Sequence, residues 1–182
     1  MTLLIILAIV AALVLWFISA QRELVNQDEL CKNALSQIGV QQASRWDALK
    51  ALVELTKSYS EHEYNTLRDI IAMRKNVTGS STAADVEEQE KALSSAMRQI
   101  NIVAEQYPDL KANDTYIKTM DSVNTYENQV RMSRMVYNDT ATKFNTTVRQ
   151  FPNSLLAGMF GFSAKDYLKE PEGKTEMPSM KI

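Results

Sequence analysis

An unbroken apolar run, Leu3 to Ile18 (LLIILAIVAALVLWFI), constrains this chain more than any other feature, and no charged residue occurs before Arg22. At a helical rise of about 1.5 Å per residue, Met1 to Ala20 covers roughly 30 Å, the depth of one bilayer core. The run therefore reads as a single transmembrane helix. A cleaved secretion signal would place Lys or Arg ahead of the apolar stretch and small residues at the cleavage site. Here no basic residue precedes the run, and Ile18-Ser19-Ala20 puts a β-branched side chain where Ala is preferred. The expectation is a retained anchor over 1–21, with the lipid bilayer as the partner of residues 3–18. Arg22 and Lys32 follow the span, with Arg45 and Lys50 beyond. The positive-inside rule then predicts a short N-terminus outside and the bulk of the chain in the cytoplasm.

The remainder reads as helical. Five Gly and four Pro in 182 residues are too few for a turn-dense β architecture. One Cys and one His exclude an internal disulfide framework and a closed structural zinc site. A net charge of −2 gives no electrostatic case for nucleic acid as a partner. Between Arg22 and Val77 the only breaker is Gly39; Thr78-Gly79-Ser80-Ser81 forms a polar linker, Tyr107-Pro108-Asp109 a turn, and Asp114 to Gln150 runs free of Gly and Pro. Apolar residues recur at three- and four-residue steps through Val86, Leu93, Met97, Ile100, Ala104 and Tyr107. The same rhythm runs through Ile117, Met120, Val123, Val130, Tyr137, Ala141, Phe144, Val148 and Phe151. Thr82 with Asp85 predicts a capping box, and Asn113 or Asp114 a second N-cap. Residues 22–77 would make one rod of roughly 80 Å, too long for any later helix to match. A break is therefore expected near Trp46-Asp47, with Asp47 as cap. The expected fold is all-α: the transmembrane helix continues into an antiparallel four-helix bundle of long helices over 22–160, followed by a mostly irregular tail over 161–182.

Several strings carry a family resemblance. They are Asn33 to Ile38 with Val40-Gln41, Arg45-Trp46-Asp47, Tyr59 to Glu63, Tyr107-Pro108-Asp109-Leu110-Lys111-Ala112-Asn113, Thr125-Tyr126-Glu127-Asn128, Tyr137-Asn138-Asp139, Phe151-Pro152 and Gly161-Phe162. On these the chain resembles the LemA family of bacterial membrane-anchored helical proteins, over nearly all of its soluble part. It departs from the family pattern at Gly39, where an acidic residue is usual, and at Lys50, where Pro is usual. The resemblance implies a four-helix bundle on one N-terminal span, with a short external terminus and no assigned enzymatic activity; no cofactor is expected. A magnetosome-associated branch implies that relatives can serve membrane organisation.

Glu63, Glu90, Glu127 and Arg134 fall on or near apolar stripes. A buried carboxylate is costly unless paired, so these four are expected to form a polar layer, with Arg134 against Glu90 or Glu127. Asn124, Asn138 and Asn145 share one side of the last long helix and are expected to bond across helices, while Met97, Met120, Met132 and Met135 read as gap-fillers in a core. Cys31 lies on an inward stripe. The family-matching loop of Tyr107, Pro108, Asp109, Leu110, Lys111 and Asn113 is a candidate partner-docking tip. Glu61-His62-Glu63 invites a metal reading, but consecutive helical residues diverge by about 100° and one His falls short of the paired Glu-x-x-His pattern of di-iron bundles. The expected function is a non-enzymatic scaffold or adaptor at the cytoplasmic face of the inner membrane, with an unknown membrane or cytoplasmic protein as partner and self-association left open. The alternatives are a metal-binding or enzymatic bundle using His62 and inward carboxylates, and the same bundle facing the periplasm.

Overall fold

The structure, a computed structural model, describes residues 1–169. Among these every regular element is an α-helix: α1 (Thr2–Thr56), α2 (Glu61–Ile71), α3 (Ala83–Gln106), α4 (Pro108–Lys111), α5 (Asp114–Arg149) and α6 (Asn153–Phe160). The apolar run forms the first third of α1 and is exposed on every side, long and apolar enough to cross a membrane.

The expected break at Trp46-Asp47 does not occur. α1 runs without interruption to Thr56. Its buried positions Ala20, Leu24, Asp28, Cys31, Leu35, Ile38, Gln42, Arg45, Leu49, Leu52 and Thr56 follow three- and four-residue steps throughout, the signature of one continuous helical seam. Gln42 and Arg45 are polar members of that seam. Asp47 caps nothing; it lies mid-helix and pairs with Arg74 at 2.6 Å. The helix stops where hydroxyls begin to compete for backbone carbonyls: Thr56 Oγ1 donates to Val53 O at 2.7 Å and Ser58 Oγ to Leu55 O at 2.9 Å. Ser60 then caps α2 by accepting from the Glu63 amide.

The objection to a long rod is met by composite partners. Trp46 to Val53 of α1 share a core with Leu67, Leu93 to Ala104, Leu110, Tyr116 and Val123. Cys31 to Ile38 pack with Val77, Val86, Tyr137, Ala141, Phe144 and Leu168, and Ala20 and Leu24 with Leu156 and Ala157. Rising numbers in α1 thus meet falling numbers in α5 and then α6. α2 and a non-helical strap over residues 73–81 return along another side of α1. The strap lies so close that a Cβ on Gly39 would sit 2.0 Å from the Val77 carbonyl oxygen.

The caps at Thr82 and Asn113 form as expected. Thr82 and Asp85 make a reciprocal capping box, and Asn113 Oδ1 accepts from the amides of Thr115 and Tyr116. Two members of the expected α5 stripe turn outward: Ile117 yields its inward place to Tyr116, and Phe151 lies beyond the end of α5 in the open. Met97 and Met120 are half-buried, whereas Met132 and Met135 face outward and fill no gap.

Beyond Gly161, residues 162–169 lie without helix along α5; the rest of the expected tail falls outside the described residues. Asn138 and Asn145 do not bridge helices. Each grips the main chain of this segment twice: Asn138 with Leu168 at 2.9 Å in both directions, and Asn145 with Lys165 at 2.7 and 2.9 Å. Asn124 is exposed. Lys165 also pairs with Asp28 at 2.7 Å. Burial works against the Asp28 carboxylate, but hydrogen bonds from Lys165 and Lys32 outweigh it and hold its pKa below the ordinary value.

Candidate docking cleft

Arg45 reaches the core side of α1 because the seam carries it there, with a side chain only 3% exposed. A buried guanidinium needs acceptors in a forked arrangement. Nη1 donates to Glu90 Oε1 of α3 at 2.8 Å and Nη2 to Glu127 Oε2 of α5 at 3.1 Å. Gln42, one turn earlier, donates to Glu90 Oε2 and to Val86 O, each at 3.4 Å. One α1 cation therefore clamps carboxylates from two other helices.

This corrects the expected layer. Glu90 and Glu127 do meet a buried arginine, but it is Arg45. Arg134 turns instead to Glu87 at 2.7 Å and donates to the carbonyl oxygen of Lys169, whose amide also donates to Glu87 at 3.1 Å. Glu63 stands apart, half-buried in the first turn of α2. The signal for Arg45 in the sequence is its spacing, three residues after Gln42 and four before Leu49, which puts it on the buried seam of α1.

α3 and α5 hardly approach each other above Arg45. Between them opens a cleft of about 300 Å³. Its walls are two helical stripes, Ser94, Met97, Arg98 and Asn101 from α3 and Glu127, Val130, Arg131 and Arg134 from α5, each in the i, i+3, i+4, i+7 pattern of one helix face. Arg98 and Arg131 line it too, and among the described residues neither makes a salt bridge. Arg45 Nε and Arg134 Nη1 are buried donors without a partner among the described residues. The cleft thus combines a fixed ion-pair floor with the guanidinium groups of Arg98 and Arg131 on its walls, a composition suited to carboxylate or phosphate acceptors.

The loop after α3 divides its residues between structure and surface. Leu110 is fully buried, Tyr107 packs against the upper core, and Asn113, besides capping α5, donates to the Tyr59 hydroxyl at 3.3 Å. Pro108, Asp109 and Lys111 are exposed. His62 is exposed on α2 and does not join the inward carboxylates; among the described residues no three His, Cys, Asp or Glu side chains converge as metal ligands. Cys31 is buried, which pushes its thiol pKa up and suppresses the reactive thiolate.

A chain whose regular elements among the described residues are all helices, and whose first helix leaves the packed body as an exposed apolar rod, is a membrane-associated helical protein. The family model for LemA matches residues 34–182, and the chain belongs to the LemA family. It is 25% identical over 146 residues to Protein LemA of Metamycoplasma hominis, covering 78% of this chain and 65% of that one. Magnetosome protein MamQ 2 of Paramagnetospirillum magneticum is 33% identical over 81 residues, 44% of this chain and 30% of its own. Magnetosome protein MamQ of Magnetospirillum gryphiswaldense is 30% identical over 88 residues, 48% and 32% respectively. The matched stretch is thus about a third of the magnetosome relatives.

Proposed function

We propose that the chain is a non-enzymatic, membrane-anchored scaffold or adaptor of LemA type. In this reading an antiparallel helical bundle at the cytoplasmic face of the inner membrane presents the Arg45 cleft to an acidic segment of a partner protein. The observation that carries it is the continuity of α1. A single helix has the apolar span at one end and the cleft floor at the other, with Arg45 about 40 Å beyond Ile18 by the helical rise. An uninterrupted helix fixes the height of the cleft over the bilayer, which a flexible linker would not. Arg98 and Arg131 on the cleft walls favour a carboxylate-bearing partner, and Arg22 and Lys32 after the span favour the cytoplasmic side. Membership of the same family as magnetosome proteins is consistent with a role in organising membranes.

The test is site-specific photo-crosslinking of the full chain in native membranes from Arg98 and Arg131, with Lys143 on the exposed side of α5 as control and Lys111 reporting on the tip. Discrete protein adducts from the cleft, lost when the opposite cleft arginine is changed to Glu, are expected. Adducts from Lys111 alone would move the docking surface to the tip, and none from either would overturn the adaptor reading. A compartment-restricted reporter fused after Ile182 checks sidedness; an external signal would reverse it.

A further inference from the structure

We propose that α6 is a second membrane attachment, lying in the lipid interface beside the transmembrane helix. Three observations converge. First, Leu155 and Met159, four residues apart on one side of α6, are 62% and 73% exposed, and Phe151, just ahead of the helix, is 81% exposed. The opposite side, Leu156 and Ala157, is fully used in packing on Ala20 and Leu24 of α1. The outward stripe is therefore surplus to the fold.

Second, the position along α1 selects the occupant. The Phe160 ring, at the C-terminal end of α6, lies 5.9 Å from that of Phe17, in the last turn of the apolar run. The exposed face of α6 thus adjoins the exposed face of the span at its charged end, where Trp16 and Phe17 supply the aromatic residues typical of a membrane–water boundary. Third, Gln150 to Ala164 contains no charged side chain, with Arg149 and Lys165 flanking it. Gly161, at φ 74°, turns the chain at the end of α6 so that Phe162 returns to the core against Phe144. The segment dips out of the bundle and comes back.

A bilayer fits these features better than a second copy or a protein partner. It requires no complementary shape, it is already present at that level, and it accepts a short charge-free helix with one apolar face. The anchor would then be two-pointed, fixing rotation of the bundle about α1 as well as its height. The inference depends neither on which side the bundle faces nor on the cleft.

Single cysteines placed at Leu155 and Met159 of the full chain, in a Cys31→Ala background, are labelled with an environment-sensitive fluorophore and reconstituted into vesicles of mixed zwitterionic and anionic phospholipid. Ile5→Cys serves as the bilayer reference and Thr125→Cys, exposed far along α5, as the aqueous one. Circular dichroism verifies that each variant keeps its helicity. At Leu155 and Met159 the expected result is a blue-shifted emission, loss of most iodide quenching and quenching by brominated lipid, as at Ile5. Iodide quenching as at Thr125 would overturn the proposal while leaving the span intact. Protection from both quenchers would also overturn it, since protein and not lipid would then cover α6. An aqueous Ile5 label would overturn the anchor and this inference together.

Discussion

Replacing Gly39 by Ala should destabilise the protein although it sits in the interior of a helix, where Ala is ordinarily the better residue. Propensity alone favours the change by about 1 kcal/mol. Against it stands the strap. An added Cβ would lie 2.0 Å from Val77 O and 2.8 Å from Val77 C. Restoring a C···O separation of about 3.3 Å requires the carbonyl to withdraw by more than about 1 Å. The strap is not free to do so: the Lys75 amide donates to Gln89 Oε1 and the Thr78 amide to Ser81 Oγ, both at 2.9 Å, and Gly79 is pressed against Lys32 and Ser36 of α1. Val77 is itself buried in the middle core. Forced overpacking of this kind costs about 1 to 3 kcal/mol, and lifting Val77 out would forfeit about 2 kcal/mol of apolar burial.

The two costs together exceed the propensity gain, leaving a net loss of about 2 to 4 kcal/mol. For a chain of this length that lowers the melting midpoint by roughly 2 to 4 °C per kcal/mol. Thermal circular dichroism of the full chain in detergent micelles measures it. Gly158→Ala is the internal control, because a Cβ there meets nothing within 4 Å and only the propensity term operates. The control should melt slightly higher than the natural chain and Gly39→Ala lower. If Gly39→Ala rises with the control, the strap does not lie on α1 as described. The same result would remove the reason for a glycine where the family usually carries an acidic side chain.

Two further outcomes follow from buried polar groups. Arg45→Met removes the cation between Glu90 and Glu127 and should cost about 3 kcal/mol, near the lower end for breaking a buried pair because Glu127 is partly exposed. Adding Glu90→Gln and Glu127→Gln should recover most of it, and a triple variant as unstable as the single one would refute the clamp. Burial, aided by the charges of Cys31 and Asp166, pushes the Tyr137 hydroxyl from 10 up to about 12. Its folded pKa lies above its unfolded one, so the folded state holds the proton longer. This contribution is complete below pH 10 and is lost as pH rises toward 12. It amounts to an order of 2 to 3 kcal/mol. The alkaline slope of stability should flatten in Tyr137→Phe, and an unchanged slope would show that another group is responsible.

What could be read from the sequence depended on whether one side chain or one periodicity carried the information. The anchor, the capping box at Thr82 and the cap at Asn113 are local events, decided by residues a few positions apart. The division of α1 was misjudged for a physical reason. The break rested on length, since no single later helix matches so long a rod, whereas in the structure α5, α6, α2, α3 and the strap cover successive stretches of α1 between them. In the sequence Arg45 counts toward membrane orientation and toward the family string Arg45-Trp46-Asp47, while the expected buried arginine is Arg134. Which arginine meets Glu90 depends on the axial offset of α3 against α1, a tertiary quantity with no local signature. Asn138 and Asn145 were placed correctly on one side of α5. Their partners were not legible, because the segment that they hold has no periodicity of its own.

The polar members of the α1 seam explain why those offsets take single values. A seam of Leu and Ile alone would pack nearly as well after sliding one helix by a turn against its neighbour. Asp28, Gln42 and Arg45 remove that freedom: Asp28 pairs with Lys165 of the returning segment, Gln42 with Val86 and Glu90 of α3, and Arg45 with the same Glu90 and with Glu127 of α5. A one-turn slip, about 5.4 Å, would separate Arg45 from both carboxylates and leave charges buried without partners, so the alternatives are penalised even though the native pairs add little net stability. Fixing α5 against α1 at Arg45 also fixes it at the far end, since α5 is one uninterrupted helix down to Arg149. The level at which α6 meets Phe17 is thereby set by an ion pair some 40 Å away along α1. Register at the cleft and contact at the bilayer are then one geometric decision, imposed by two long helices that share a seam.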